Sequence, residues 1–210
     1  TVRQVASGGA ITTICSPADT DPNFQPTGIC FDIASSRLCI TDAGNDCVWS
    51  VPVSAGVVSP PFVTVVPFGT IVDPQAICSD PANGTLYVVS ASQNTVWKIV
   101  DSTATEIISL AIQGTTVLSS PSGICYDDTN LYIADTGNHC VRQAPVSGPI
   151  TAASIAVIAG NLGTPGFGGD RGPATSTAAL LDSPQSVFVH QNQVYIADTG
   201  NNCIRQILRY

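Results

Sequence analysis

An all-β fold made of repeated four-stranded sheets is predicted by three observations. The stretch "LYIADTGNHC" at 131–140 recurs as "VYIADTGNNC" at 194–203. Two more distant copies align with it without a gap, "LCITDAGNDCVW" from Leu38 to Trp49 and "LYVVSASQNTVW" from Leu86 to Trp97. A second shared element precedes each copy: "PTGICFD" at Pro26, "PQAICSD" at Pro74, "PSGICYD" at Pro121 and "PQSVFVH" at Pro184. An active site is built once, whereas a structural unit is copied because stacked neighbours bury a continuous core.

Within each unit Ile, Val, Tyr and Cys alternate over five or six residues between turn-forming clusters, and no helical period is sustained. The first strand follows the proline, as in Gly28–Phe31. A hairpin leads to the second, as in Leu131–Ala134. The third follows the Asp-x-Gly-Asn turn, as in Cys140–Gln143, and a less regular fourth is read in "PFVTVVPF" and "AASIAVIAG". Four strands in about 47 residues, repeated, predict a β-propeller of antiparallel blades. The units run as a partial blade at 1–16, blades at 24–70, 72–113 and 119–160, an inserted linker at 161–183 and a partial blade at 184–210.

The ends carry their own expectation. "TVRQ" aligns with "CVRQ" and "CIRQ", which places Thr1 in a third strand, and "AITTIC" supplies that blade's fourth. The last unit stops after its third strand, "CIRQILRY". Four to five blades are thus visible, in a number of strands that fills neither a four-bladed nor a six-bladed ring. The expectation is a part of a six-bladed or longer array, continued by more polypeptide or by a neighbouring copy that pairs with Cys203–Leu208.

The repeated Asp-x-Gly-Asn reads as turn chemistry. Its Asp accepts backbone N–H groups, its Gly tolerates φ > 0, and its Asn bonds its own backbone or a neighbouring blade. In the copy "SASQN" Ser90 and Asn94 remain while Asp and Gly are lost, as a turn allows.

Composition narrows the partners. Apolar residues make up 44% of the 210, enough for a substantial core, and only 10% are charged. The net charge is −8 with a single lysine, Lys98, which argues against nucleic acid and against anionic membrane surfaces. No stretch approaches the ~18 apolar residues of a membrane span. The sequence holds no methionine, so a processing or truncation step before Thr1 is expected. Eight cysteines without a CxxC pair favour an oxidising, extracellular or cell-surface setting, and at least two disulfides are expected. Cys30, Cys78 and Cys125 share a first-strand position, and Cys47, Cys140 and Cys203 a third-strand position. Cys39 replaces the second-strand tyrosine, and Cys15 ends the N-terminal strand. A tight turn at Ala34-Ser35 sets Cys30 opposite Cys39, where the two can bond. The alternative is that some of these are buried small hydrophobes.

The stretch "GFGGDRGPATSTAALLDSPQSVFVHQNQVYIADTGNNCIRQI" resembles the NHL repeat, with its Gly-Asp-x-Gly-Pro-Ala linker, and diverged copies extend the resemblance over the whole chain. That resemblance implies a propeller, most often six-bladed. Cysteine at 47, 140 and 203 departs from the usual basic or polar residue and suggests an extracellular, disulfide-bearing branch.

Amidating lyases of similar fold use several histidines, and this chain has only His139 and His190. Lactonase-like relatives hold calcium in the channel. Asp32, Asp80 and Asp127, with His190 at the fourth position, are the metal candidates here, and capping of the first hairpin is the competing role. No Gly-x-Ser-x-Gly elbow nominates a nucleophile. RNA-binding relatives need a basic face. Arg142 and Arg205, in register with Arg3 and Lys98, read instead as a ladder bonded to carboxylates of neighbouring blades. "GDRGPATSTAAL" lacks the Gly-Lys-Ser/Thr ending of a phosphate loop. Asn83-Gly84-Thr85 is both a glycosylation acceptor and a two-residue hairpin turn.

The predicted function is a non-catalytic extracellular module for protein contact or for a structural, surface or filamentous assembly, with protein partners or further copies of itself and no nucleic acid. No cofactor is expected beyond a structural calcium ion. The alternatives are a hydrolase or lyase with a channel calcium and, against the acidic composition, a nucleic-acid-binding domain.

Overall fold

The computed structural model describes residues 1–210 apart from 6–7, 16–20, 55–56, 59–61, 110–117 and 209–210. Four antiparallel sheets follow one another along the chain, each a propeller blade. The first holds β3 (Pro26–Asp32), β4 (Arg37–Asp42), β5 (Cys47–Ser54) and β7 (Val63–Val66), with the short β6 (Val57–Val58) on β5. The second is β8 (Pro74–Ser79), β9 (Leu86–Ser90), β10 (Thr95–Val100) and β11 (Thr103–Ile108). The third is β12 (Gly123–Tyr126), β13 (Asn130–Asp135), β14 (Cys140–Pro145) and β15 (Ala156–Ala159). The last has three strands, β16 (Ser186–His190), β17 (Gln193–Asp198) and β18 (Cys203–Leu208). Ahead of them β1 (Val2–Val5) pairs with β2 (Ile11–Cys15).

Register follows the repeat. Cys30, Cys78, Cys125 and Phe188 on the first strands stand opposite Cys39, Tyr87, Tyr132 and Tyr195 on the second. Each pairing of a third with a fourth strand carries a bulge at one repeat position. It falls between Val48 and Trp49, Val96 and Trp97, and Val141 and Arg142. The same bulge lies between Val2 and Arg3, which makes β1 and β2 a third and fourth strand, as their alignment predicts. A bulge re-aims a side chain, and these four re-aim the Trp/Arg position.

The core lies between blades. Strand alternation gives each sheet one face toward the preceding blade and one toward the following blade. Cys39 and Val48 of the first blade meet Ile77, Leu86 and Val88 of the second. Tyr87 and Val96 of the second meet Ile124, Leu131 and Ile133 of the third. Cys125, Tyr132 and Val141 of the third meet Val187, Val194 and Ile196 of the last. Val2 covers Ile40 of the first blade. Thus β1–β2 packs on the first sheet, and among the described residues β18 pairs only with β17.

Several sequence expectations need correction. The hairpin after Asp80 is not a two-residue Asn83-Gly84 turn. Pro81–Gly84 form a longer loop closed by the Asp80 N–H on the Thr85 carbonyl and the Gly84 N–H on the Asp80 carbonyl. The β3–β4 hairpin likewise closes through Asp32 opposite Arg37, so its loop is centred on Ala34-Ser35 but spans Ile33–Ser36. In "AASIAVIAG", Ala152–Ser154 form a 3-10 turn before the strand begins.

Candidate functional site

The Asp-x-Gly-Asn turn works differently from its sequence reading. Asp135 is fully buried, and one carboxylate oxygen accepts the Ser119 N–H at 2.7 Å from the segment leading into its own blade. Asp198 holds the Asp182 N–H at 2.7 Å and Asp42 the Gln25 N–H at 2.8 Å in the same way. The turn glycines are not the residues at φ > 0. His139 (φ 54°) and Asn202 (φ 53°) take that conformation. Gly137 and Gly200 are required because the incoming segment passes so close that a Cβ would lie 2.4 Å from Ser119 Oγ or 2.5 Å from Asp182 Cγ. The Asn side chain turns inward: Asn45, Asn138 and Asn201 each donate to their own blade's Asp, at 2.7–2.9 Å.

The second oxygen of each Asp collects the re-aimed third-strand residue. Arg142 Nε donates to Asp135 at 2.5 Å, Trp49 Nε1 to Asp42 at 2.9 Å, and Arg205 Nη1 to Asp198 at 3.4 Å. Arg142 and Arg205 therefore reach the Asp of their own blade, not a neighbouring blade's carboxylate, and for Arg142 the bulge folds the side chain back over its own hairpin. Where Ser90 replaces Asp, its hydroxyl reaches the Val72 carbonyl, and Trp97 Nε1 turns to Thr95 Oγ1 at 3.0 Å. Sequence reasoning missed this network; its trace was the recurrence of a nitrogen donor, Trp or Arg, at one repeat position. The linker insertion fastens to the same feature. Arg205 Nη2 meets Asp170 at 2.7 Å and the Gly168 carbonyl at 2.8 Å, beneath the Phe167 ring.

Among the described residues no two cysteines are bridged in this structure, where at least two disulfides are expected from the sequence. The third-strand cysteines each belong to a different blade and lie beside their own Asp. Cys140 Sγ lies 3.8 Å from Asp135 and Cys203 Sγ 3.9 Å from Asp198. Burial, then Asp135, pushes the Cys140 thiol up to about 12, and burial, then Asp42, does the same to Cys47. Burial, and next the neighbouring Cys125, holds Cys78 well above its usual range. Such thiols are poor nucleophiles. For Cys15 only the backbone is described, at the end of β2.

Asp32, Asp80 and Asp127 all sit at the first hairpin. Asp32 accepts the Ala34 N–H and the Ser35 hydroxyl, and Asp80 accepts the Ala82 N–H and the Asn83 side chain. Asp127 takes the Thr129 and Asn130 N–H groups and the Tyr132 hydroxyl. These are caps, and among the described residues no three His, Cys, Asp or Glu side chains come together as a metal site. Asn83 is exposed, with its amide engaged on Asp80. His139 receives the Ser183 N–H at 3.1 Å, while His190 stacks on Phe188.

The first strands of all four blades line a channel of about 690 Å³. Its hydroxyl and amide side chains are Thr27, Gln75, Ser122, Gln185 and Ser186, and none of its lining residues is acidic or basic. The strands meet closely there: a Cβ on Gly28 would lie 2.8 Å from the Ala76 Cα, and one on Gly123 2.7 Å from the Gln185 carbonyl. Thr27 and Ser122 donate to the Pro74 and Gln185 carbonyls across these contacts.

The end faces differ from the internal ones. Ile77, Ile124 and Val187 hold one repeat position and are 5%, 7% and 4% exposed, whereas Ile29, at the same position of the first blade, is 51% exposed. On the opposite face Val48, Val96 and Val141 are 0% exposed, and Ile204 at that position of the last blade is 69% exposed, beside Phe188 at 58%. Ile29 at one end and Phe188 with Ile204 at the other thus stand in solvent at positions that internal interfaces bury, while Ile40, opposite Ile29, is covered by Val2 of β1.

A family profile described as the NHL repeat matches residues 118–143, the last of the incoming segment through most of β14. No curated protein matches the chain by sequence. Among solved structures it is similar to an auxiliary nutrient binding protein from Bacteroides thetaiotaomicron, at 16% identity and a TM-score of 0.73 over 98% of this chain and 49% of that one. A streptogramin B lyase is similar at 14% identity and 0.62, over 99% and 61%. A chain of a nidogen/laminin complex is similar at 15% and 0.58, over 89% and 76%. The chain spans about half the length of the nutrient binding protein, and of a second Bacteroides thetaiotaomicron protein of similar structure (17% identity, TM-score 0.69) it spans 51%. At such identities the likeness is one of fold. With an NHL repeat matched in one blade and the same register in its neighbours, the chain is a β-propeller that carries an NHL repeat.

Proposed function

We propose that the chain is a non-catalytic, extracellular protein-interaction module within a larger assembly, and that its end faces are contact surfaces. The supporting observation is the position-matched exposure of Ile29 at one end and Phe188 with Ile204 at the other. Apolar rows of this kind, rimmed by polar strands, mark association surfaces. The rival, a hydrolase or lyase with a channel calcium, needs carboxylates or imidazoles inside the channel, and the first strands present Thr27, Gln75, Ser122 and Gln185 there. The extracellular setting rests on the eight cysteines and the single lysine.

Sedimentation velocity over a concentration series, with the wild type and Phe188→Asp/Ile204→Asp, tests the reading. Concentration-dependent association that the double substitution abolishes supports it. A wild type that stays monomeric at high concentration and matches the variant contradicts it.

A further inference from the structure

We propose that Cys30 and Cys39 form a cross-strand disulfide, made by exchange with a small-molecule disulfide of the glutathione class. The two residues are directly opposite in the β3–β4 ladder and share one apolar cluster, with Cys30 packed against the core that contains Cys39. Directly opposed residues in an antiparallel pair have Cα atoms about 4.5–5.5 Å apart, within the span a disulfide bridges without moving the backbone.

The repeat supplies the second argument. At the same ladder position Cys78 faces Tyr87, Cys125 faces Tyr132 and Phe188 faces Tyr195. A cysteine replaces the second-strand tyrosine in the first blade alone, and there its partner is also a cysteine. Two of the first-strand cysteines therefore lie opposite a ring that cannot bond them, and one lies opposite a thiol. The third-strand cysteines have no such partner, since each faces a carboxylate of its own blade.

The chemistry balances in two steps. One thiolate attacks the small disulfide, forms a mixed disulfide and releases one thiolate of the reagent. The second cysteine then attacks the protein sulfur of that mixed bond and releases the other. The protein loses two electrons and two protons, and the reagent is reduced to two thiols. Cys30 is half-buried and Cys39 is 2% exposed, so the mixed disulfide forms on Cys30. The Cys39 side chain first, and burial second, hold the Cys30 thiol far above its ordinary range, so native-state exchange is slow. Bridge formation belongs to folding, before the second blade covers β4.

The test is refolding of the full chain from urea in a reduced/oxidised glutathione buffer, followed by acid quench, alkylation and peptide mapping. The expected product is one Cys30–Cys39 cross-linked peptide, about 2 Da lighter than the reduced pair, with the other internal cysteines alkylated. Cys39→Val, in which the second step cannot occur, is expected to carry a glutathionyl group on Cys30. Recovery of both cysteines alkylated in the refolded wild type, or a bridge from Cys30 to Cys78, overturns the proposal. Because the wild-type map is decisive alone, a variant that fails to fold does not weaken the test.

Discussion

Asp135 accepts the Arg142 guanidinium at 2.5 Å with both side chains at the floor of solvent exposure, 0% and 1%. The pair lies within one blade and joins three pieces of chain: the incoming segment at Ser119, the turn at Asn138 and the third strand. One guanidinium nitrogen, Nη2, is buried without a hydrogen-bond partner among the described residues, so the carboxylate carries most of the compensation for burying this charge.

Asp135→Ala leaves a buried cation and frees the Ser119 N–H, and is expected to cost about 3–5 kcal/mol. The second blade shows the neutral solution, with Ser90 and Trp97 at the matching positions. Asp135→Ser combined with Arg142→Trp should therefore lose clearly less than the two single substitutions summed. A double-mutant cycle by urea denaturation measures this, and strict additivity would remove the pair from the account.

Gly137→Ala puts a methyl group 2.4 Å from Ser119 Oγ and 2.9 Å from its carbonyl. Overpacking of this kind costs about 1–3 kcal/mol. Gly8, with nothing within 4 Å among the described residues and no positive φ, is the control, and Gly8→Ala should be neutral. Equal midpoints for the two variants would show that the incoming segment is not held where the structure puts it.

Alkaline pH should weaken the fold through Cys47 and Cys140. Both thiols ionise near 9 when unfolded and at about 12 when folded, so above pH 9 the unfolded state releases protons that the folded state keeps. Stability is then complete below pH 9 and falls as pH rises toward 12. Cys140→Ala should flatten that fall, whatever its effect at neutral pH. Thermal midpoints between pH 8 and 11 measure the slope, and an unchanged slope in the variant contradicts the assignment.

What the sequence made legible was whatever the repeat encodes locally. Strand order, the opposition of Cys30 to Cys39 and the third-strand identity of β1 were all readable, because each copy checks the others. The role of Gly137 was misread because a turn-forming glycine and a closely approached glycine look alike without the passing segment. The Arg142 partner was placed in a neighbouring blade because periodicity does not show a bulge, and the bulge at Val141/Arg142 decides where the side chain goes. The hairpin at Asn83 was shortened because Asn-Gly is so strong a two-residue turn signal. Here the Asp80 cap holds a longer loop instead.

The blades are equivalent, and Ile29 stands in solvent at a position that the internal interfaces bury. An aspartate scan of the four matched positions tests it most directly. Asp at Ile77, Ile124 or Val187 places an unpaired carboxylate in an interface and should cost about 3–5 kcal/mol in urea denaturation. Ile29→Asp should cost under about 1 kcal/mol, as a surface change does, in protein kept dilute enough to be monomeric. An Ile29→Asp loss as large as the other three would mean that Ile29 is buried like its counterparts, and the account of its exposure would be wrong.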